Sequence, residues 1–157
     1  MDGASIKIRP ATLDDIREIL LVNQANLSET YDYDTVSRHI ELYNLTYVAV
    51  TSTSSEVYEM DTVHGYIMGY IEDRVEAHVT SLAVNESARG LGLGKRLLLE
   101  FLLEAKKRKL KGCSLQVRDD NKVAESLYKK MGFKSIRILE NYYGKNEDGI
   151  LMRRMPL

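Results

Sequence analysis

Apolar residues recur along this chain with two spacings, every second residue and every third or fourth residue, which are typical of strands and of helices. Alternating or β-branched runs predict seven strands, at residues 6–9, 46–50, 63–71, 76–84, 113–118, 133–139 and 149–155. Helical spacing predicts helices at about residues 14–25 and 35–43, from a glycine-rich turn at 89–94 to a basic end at 106–109, and at about 122–131. The resulting order, β-α-α-β-β-β-α-β-α-β-β, is that of a mixed α/β fold.

Two short features refine the central part of this order. A turn near Asp73-Arg74 separates the third and fourth strands, so these strands are expected to form an antiparallel hairpin. The third strand contains Gly65 and Gly69, and glycines inside a strand indicate a bulge or the close approach of another group. The chain of 157 residues shows no internal repeat and no linker, so we expect a single domain spanning residues 1–157.

Composition and charge narrow the class of protein. Lysine and arginine number 22 against 23 aspartate and glutamate, and this balance argues against a protein built chiefly to coat nucleic acid. No apolar run approaches the ~20 residues of a membrane span, and the first residues lack the pattern of a secretory signal. Cys113 is the one cysteine and can form no internal disulfide, which favours a reducing, cytoplasmic setting. The three histidines are scattered, without the spacing of a metal site.

A glycine-rich turn is the first feature that indicates chemistry. Three glycines stand at alternate positions in Arg89-Gly90-Leu91-Gly92-Leu93-Gly94, directly before a strongly apolar helix. Glycine loses the most backbone entropy on ordering, so such a run needs a physical reason. Backbone N–H groups at a turn of this kind, together with the positive end of the helix dipole, can bind an anion such as a phosphate. The spacing matches neither a P-loop nor the dinucleotide G-x-G-x-x-G pattern.

Three motifs follow one another in the second half of the chain. The strand at residues 80–84 runs into the turn Arg89-x-x-Gly92-x-Gly94; the next motifs are Asn121-x-x-Ala124-x-x-Leu127-Tyr128 and Met131-Gly132-Phe133. Each motif lies where the strand and helix pattern requires it, and from Ile6 to its C-terminus the chain resembles the GNAT superfamily of N-acetyltransferases. Residues 78–84, 114–118 and 141–143 resemble the branch that acetylates protein N-termini, which includes the bacterial ribosomal-protein alanine acetyltransferases.

The resemblance implies a fold and a co-substrate. The fold is a mostly antiparallel sheet of seven strands with a V-shaped splay after Val84 and four flanking helices, and the co-substrate is acetyl-CoA, with no metal. Backbone N–H groups at about 91–95 would hold the pyrophosphate, Arg89 would add charge, and the Val84 N–H would stabilise the oxyanion. Asn121 would cap its helix and reach the cofactor arm. The cofactor-binding residues implied are Leu82, Ala83, Val84, Arg89, Gly90, Leu91, Gly92, Leu93, Gly94, Lys95, Asn121 and Tyr128.

The resemblance also assigns catalytic roles. Tyr128 would protonate the departing CoA thiolate, since a phenol with a pKa of ~10 keeps its proton until a thiolate with a pKa of ~8.5 has formed. Members of this branch carry Glu or His where this chain has Gln116, which cannot act as a base. The role of general base would therefore pass, through a water, to His78 or to Glu29 in the loop between the first two helices.

The acceptor side rests on two loops. Leu27, Glu29 and Tyr31 lie where the resembling enzymes have a substrate-contacting loop, and Tyr142 and Tyr143 lie in a loop between the last two strands; these residues would line a peptide groove. A weak base favours an N-terminal amine with a pKa of ~8 over a lysine amine at ~10.4, because more of the N-terminal amine is neutral. The expected reaction is direct attack of a protein or peptide N-terminus on acetyl-CoA in a ternary complex. Nascent chains at the ribosome are candidate substrates. Whether the chain works with an auxiliary subunit stays open.

Other functions stay open at this stage. The acceptor could instead be an internal lysine or a small-molecule amine, which the donor motifs do not distinguish. The basic run at residues 106–111 could dock a ribosome or nucleic acid, although cations at a helix end also complement the helix dipole. The chain could also be an acyl-CoA sensor without turnover, against which Tyr128 and the three glycines argue.

Overall fold

The computed structural model describes residues 5–54 and 56–157; Ser55 and residues 1–4, the start of the stretch considered above for a secretory signal, lie outside it. Its elements are β1 (Lys7–Pro10), α1 (Ile16–Asn26), α2 (Tyr33–Arg38), β2 (Thr46–Ser54), β3 (Glu59–Glu72), β4 (Glu76–Val84), α3 (Leu93–Lys107), β5 (Gly112–Arg118), α4 (Lys122–Lys130), β6 (Lys134–Gly144) and β7 (Glu147–Arg154). The seven strands form one sheet in the order β1-β2-β3-β4-β5-β7-β6. The predicted element order and the mixed α/β class, with seven strands and four helices, are confirmed.

Most ladders of the sheet are antiparallel, as expected. β1 pairs with β2, β2 with β3, β5 with β7, and β6 with β7, all in antiparallel register. β4 and β5 pair in parallel, from Glu76 opposite Gly112 to Val79 opposite Leu115. The turn between β3 and β4 places both Asp73 (φ 49°) and Arg74 (φ 59°) in the left-handed region, as a tight hairpin turn requires.

Internal contacts divide the chain into two compact units. The first comprises the described residues up to Tyr70 together with Ser81–Phe101, and the second comprises Ile71–Thr80 and Leu102–Leu157. The core of the first unit is formed by Ala11, Ile16, Ile19, Val22, Val36, Ile40, Val48, Val50, Val63, Tyr66, Met68 and Ala83. The second unit buries Ala77, Val79, Cys113, Leu115, Val117, Tyr128, Phe133 and Met152. Each unit therefore carries its own candidate site residues on packed elements.

Two predicted boundaries near α2 and β2 need correction. α2 begins at Tyr33, before the predicted start at 35, because the Asp32 carboxylate accepts a hydrogen bond from the Thr35 N–H at 2.8 Å and caps the helix. After Arg38 the α-helix widens, and His39–Tyr43 forms a π-helical turn. β2 continues to Ser54 rather than ending at residue 50, because its ladder with β3 runs to Ser54 opposite Glu59 although the side chains there are polar.

The expected bulge in β3 is confirmed at His64. Ala49 pairs with Gly65 but Val50 pairs with Val63, so His64 is an extra residue in the ladder. The His64 carbonyl accepts a hydrogen bond from the Asn85 N–H, just after β4, at 2.8 Å. The expected close approach is also present, because a Cβ on Gly65 would lie 2.9 Å from the Ala83 carbonyl oxygen. Gly65 therefore allows β3 to lie directly against the end of β4.

The two adjacent tyrosines lie on a strand rather than in a loop, which corrects the prediction. β6 extends to Gly144, and its pairing with β7 is irregular between Leu139 and Gly144. Asn141 adopts a left-handed φ of 53°, and its N–H donates to the Asp148 carboxylate at 2.8 Å. These cross-strand contacts hold Tyr142 and Tyr143 on a distorted strand end.

None of the helices within the described part of the chain combines the length and apolarity that a membrane span requires.

Candidate active site

The glycine-rich turn places two left-handed glycines directly before α3. Gly90 and Gly92 have φ of 80° and 74°, a region that glycine adopts without strain. A Cβ at either position would meet nothing within 4 Å, so the backbone conformation, and not crowding, requires glycine there. α3 begins at Leu93, which corrects the predicted extent of the turn, because Gly94 lies in the first helical turn. The first N–H groups of a helix lack acceptors within the helix and can bind an anion.

Arg89 connects this turn to the end of α1. Its guanidinium donates to the Val84 carbonyl at 3.3 Å and to Asn26 Oδ1 at 2.9 Å. The Asn26 Nδ2 in turn donates to the Val22 carbonyl at 2.8 Å and to Asn85 Oδ1 at 2.9 Å. This network fixes the position of Arg89 beside the turn, so that its charge adds to the positive potential there.

His78 on β4 has partners for both ring nitrogens. The parallel register places His78 opposite Ser114 on β5, and Gln116 follows two residues later on the same face. Nε2 lies 2.8 Å from Gln116 Oε1, and Nδ1 lies 2.8 Å from Ser114 Oγ. A carbonyl oxygen can only accept, so Nε2 carries the proton and Nδ1 accepts from the Ser114 hydroxyl. Burial lowers the pKa of His78, which is 7% exposed, and the Gln116 hydrogen bond opposes this shift.

The depressed pKa of His78 predicts a pH dependence of stability. Below pH ~6.5 the unfolded chain binds a proton at this histidine that the folded chain resists, so the free energy of unfolding should fall as the pH falls from 7 to 5. In His78→Gln this proton linkage is absent, and the melting temperature should depend less steeply on pH over that range. Thermal denaturation at pH 5, 6 and 7 measures the difference. Parallel curves for the wild type and the variant would contradict the buried neutral histidine.

Tyr128 occupies a buried position on α4. Asn121 caps this helix by accepting from the Ala124 N–H through Oδ1 at 3.2 Å, as the sequence predicts. The Tyr128 ring lies 5.9 Å from the Phe133 ring between centroids, and the Phe133 N–H donates to the Tyr128 carbonyl. Burial raises the pKa of Tyr128 well above its usual value, so the hydroxyl keeps its proton at neutral pH.

The segment between α1 and α2, residues 27–31, is packed into the first unit. Leu27 and Tyr31 are partly buried and pack against the apolar core of that unit. Glu29 accepts a hydrogen bond from the Ser28 hydroxyl at 2.9 Å. Asn23 on α1, which is buried, bonds to the backbone of both Glu29 and Tyr31. The segment therefore has a defined conformation set by its helix.

Neighbouring side chains also hold the tyrosine pair in the second unit. The rings of Tyr142 and Tyr143 meet edge to face at 4.9 Å between centroids, and the Arg118 guanidinium lies 4.6 Å from the Tyr143 ring centroid. Arg118 also pairs with Glu147 at 3.5 Å. A Cβ on Gly149 would lie 3.0 Å from Tyr143 Cε2, so glycine there makes room for the ring.

The predicted site residues are divided between the two units. The first unit holds Leu27, Glu29, Tyr31, Leu82, Ala83, Val84 and residues 89–95, whereas the second holds His78, Asn121, Tyr128, Tyr142 and Tyr143. Sequence reasoning missed the supporting residues Asn23, Asn26, Ser114 and Arg118. Asn23 had a readable signal, because it is polar at a position that shares the apolar spacing of its helix. The others depend on contacts between distant parts of the chain.

Two further residue classes bear on the chemistry. Cys113 is buried, and burial raises the pKa of its thiol to about 12, as expected of a packing residue and not of a nucleophile. Among the side chains of residues 5–54 and 56–157, no three His, Cys, Asp or Glu groups are clustered as a metal site would need.

Comparisons with known proteins identify the family of this chain. A family model described as the acetyltransferase (GNAT) family matches residues 13–133. The chain is 33% identical to an N-alpha-acetyltransferase of Sulfurisphaera tokodaii, with 96% of this chain and 93% of that protein covered. It is 32% identical to the N-terminal acetyltransferase A complex catalytic subunit NAA10 of Arabidopsis thaliana, over 94% of this chain and 76% of that protein. The crystal structure of Ard1 from Thermoplasma volcanium superimposes with a TM-score of 0.85 at 29% identity, covering 98% of this chain and 99% of that one.

Proposed function

The chain belongs to the acetyltransferase (GNAT) family, and from this premise we propose that it transfers the acetyl group of acetyl-CoA to the α-amino group of protein N-termini. The observation that carries the N-terminal assignment is similarity along nearly the whole chain to a protein named an N-alpha-acetyltransferase. The 27–31 segment and the tyrosine pair are the places where the family resemblance puts the acceptor peptide, and internal contacts order both of them.

The donor residues fit acetyl-CoA, which supplies an acetyl thioester and a pyrophosphate anion. The N–H groups at 91–95 and the Arg89 charge would hold the pyrophosphate, supported by the left-handed glycines at 90 and 92. Leu82, Ala83 and Val84 would hydrogen-bond the pantetheine arm through their backbone. Asn121, whose Oδ1 caps α4, would reach the arm with its Nδ2.

The chemical step would use the protein's own hydrogen-bond donors. In the proposed ternary complex the acceptor nitrogen forms a bond to the acetyl carbon and the carbon–sulfur bond breaks. The Val84 N–H would stabilise the negative charge that develops on the carbonyl oxygen. Tyr128 would give its proton to the departing thiolate, which is consistent with the raised pKa that keeps this hydroxyl protonated.

The proton lost by the acceptor amine needs a weak base only. His78 is neutral at pH 7, and Nδ1, which accepts from the Ser114 hydroxyl, is its basic nitrogen. His78 would therefore receive the proton through Ser114 Oγ and a water, and Glu29 is the second candidate. An α-amine is already partly neutral near pH 7, so neither base needs to be strong.

This mechanism predicts how the rate depends on pH. The value of kcat/KM should rise with pH around the pKa of the acceptor amine, at ~8, because His78 is already neutral above ~6.5. A peptide whose first residue lowers the amine pKa should shift the midpoint by the same amount. Initial rates between pH 6 and 9 with two such peptides measure this. A midpoint that is the same for both peptides would contradict it.

Partners and setting are part of the same proposal. The Arabidopsis relative is named as the catalytic subunit of a complex, so an auxiliary subunit is a candidate partner of this chain. We place the protein in the cytoplasm as one acetyltransferase domain, in line with its single cysteine. Nascent chains would be its natural substrates.

Turnover of acetyl-CoA with matched peptides tests the proposal. Peptides beginning with Ser, Ala or Met are compared with the same peptides carrying a blocked N-terminus. The proposal expects CoA release with at least one free peptide and background release with every blocked one. Equal CoA release with free and blocked peptides would contradict the proposal and indicate that a lysine is the acceptor. No CoA release with any peptide or amine would instead favour an acyl-CoA sensor without turnover.

A further inference from the structure

A single buried amide holds both ends of a turn in the 27–31 segment. Asn23 lies on the buried face of α1 and is 1% exposed. Its Nδ2 donates to the Glu29 carbonyl at 2.9 Å, and its Oδ1 accepts from the Tyr31 N–H at 3.2 Å. The conformation of the backbone from Glu29 to Tyr31 is therefore set by one side chain of the preceding helix.

We infer that Asn23 is a positioning residue for the acceptor, acting through the 27–31 segment whose backbone it holds. This inference rests on the proposed function, because it assigns that segment to the acceptor. Packing of α1 does not require the amide, since Ile16, Ile19 and Val22 fill the rest of its buried face. Burying an amide is unfavourable unless its groups are bonded, so the polar residue is explained by the backbone that it holds.

The main test variant is Asn23→Leu, which has the same branching at Cγ and removes both hydrogen bonds to the segment. Gln24→Leu is the matched control, because Gln24 is the adjacent amide and is exposed. Hydrogen exchange of the Tyr31 amide and the KM values for an acceptor peptide and for acetyl-CoA are measured. In Asn23→Leu, Tyr31 exchange and the peptide KM should each rise about tenfold or more, as loss of buried hydrogen bonds predicts. The KM of Asn23→Leu for acetyl-CoA should stay within about twofold of the wild-type value. The control Gln24→Leu should match the wild type. Asn23→Gln should retain part of the Tyr31 protection that Asn23→Leu loses.

Asn23→Ala provides a second variant that removes both hydrogen bonds without adding volume, in case Asn23→Leu does not fold. It should raise the peptide KM more than the acetyl-CoA KM. Unchanged Tyr31 exchange in Asn23→Leu, or an equal rise of both KM values in either variant, would overturn the inference. A wild-type protein that does not acetylate N-termini would instead refute the proposed function, while the exchange measurement would still decide whether Asn23 holds the segment.

Discussion

Replacing Tyr128 by Phe should lower kcat for acetyl transfer by about 10²- to 10⁴-fold, the usual contribution of a positioned general acid. The variant retains the buried ring beside Phe133 and loses only the hydroxyl proton. The KM for acetyl-CoA should change little, because the proposed proton transfer occurs after binding. Steady-state kinetics from pH 6 to 9 measure the effect, and the loss should be the same across this range since burial keeps the pKa of Tyr128 high.

Tyr58→Phe is the matched control for this substitution. Tyr58 lies outside the proposed machinery and is 61% exposed, so its variant should retain the wild-type rate. A Tyr128→Phe variant with full activity across pH would show that another group, or water, protonates the thiolate.

Replacing Gly65 by Ala should have the second largest effect. The added Cβ would lie 2.9 Å from the Ala83 carbonyl oxygen and 3.3 Å from Val84 Cα, and both atoms belong to the backbone. Crowding of this kind destabilises a fold by about 1–3 kcal/mol. The strand end would also move, and displacement of the Val84 N–H from a developing oxyanion should lower kcat by about tenfold or more. Thermal denaturation and turnover measure the two effects.

A double variant separates backbone crowding from side-chain crowding. The added methyl would also lie 3.2 Å from Val84 Cγ2, which Val84→Ala removes. Gly65→Ala combined with Val84→Ala should stay as impaired as Gly65→Ala, because the contact with the Ala83 carbonyl persists. Full recovery in the double variant, or wild-type behaviour of Gly65→Ala, would contradict the proposed role of this glycine.

Local signals in the sequence were enough to predict the glycine turn and the cap of α4. The glycine turn can be recognised because glycine adopts the positive φ values of Gly90 and Gly92 without strain, and Asn121 can be recognised because its side chain caps the helix that follows it. The bulge at His64 was indicated by the neighbouring Gly65. Each of these features is determined by a few consecutive residues.

Features that depend on strand pairing could not be predicted from local sequence. The partners of His78 depend on the register of β4 with β5, two strands separated in sequence by the whole of α3. Gln116 was recognised as unable to act as a base, but its hydrogen bond to His78 follows only from that register. Tyr142 and Tyr143 were assigned to a loop because the irregular pairing of β6 with β7 has no local signal.

The most direct test of N-terminal specificity is the position of the acetyl group on a single peptide that carries both a free N-terminus and an internal lysine. After reaction with acetyl-CoA, tandem mass spectrometry locates the added acetyl group. An enzyme specific for N-termini should acetylate the α-amine over the lysine by about two orders of magnitude, since their pKa values of ~8 and ~10.4 leave that difference in neutral amine. Acetylation of the lysine at a comparable or higher level would contradict the account.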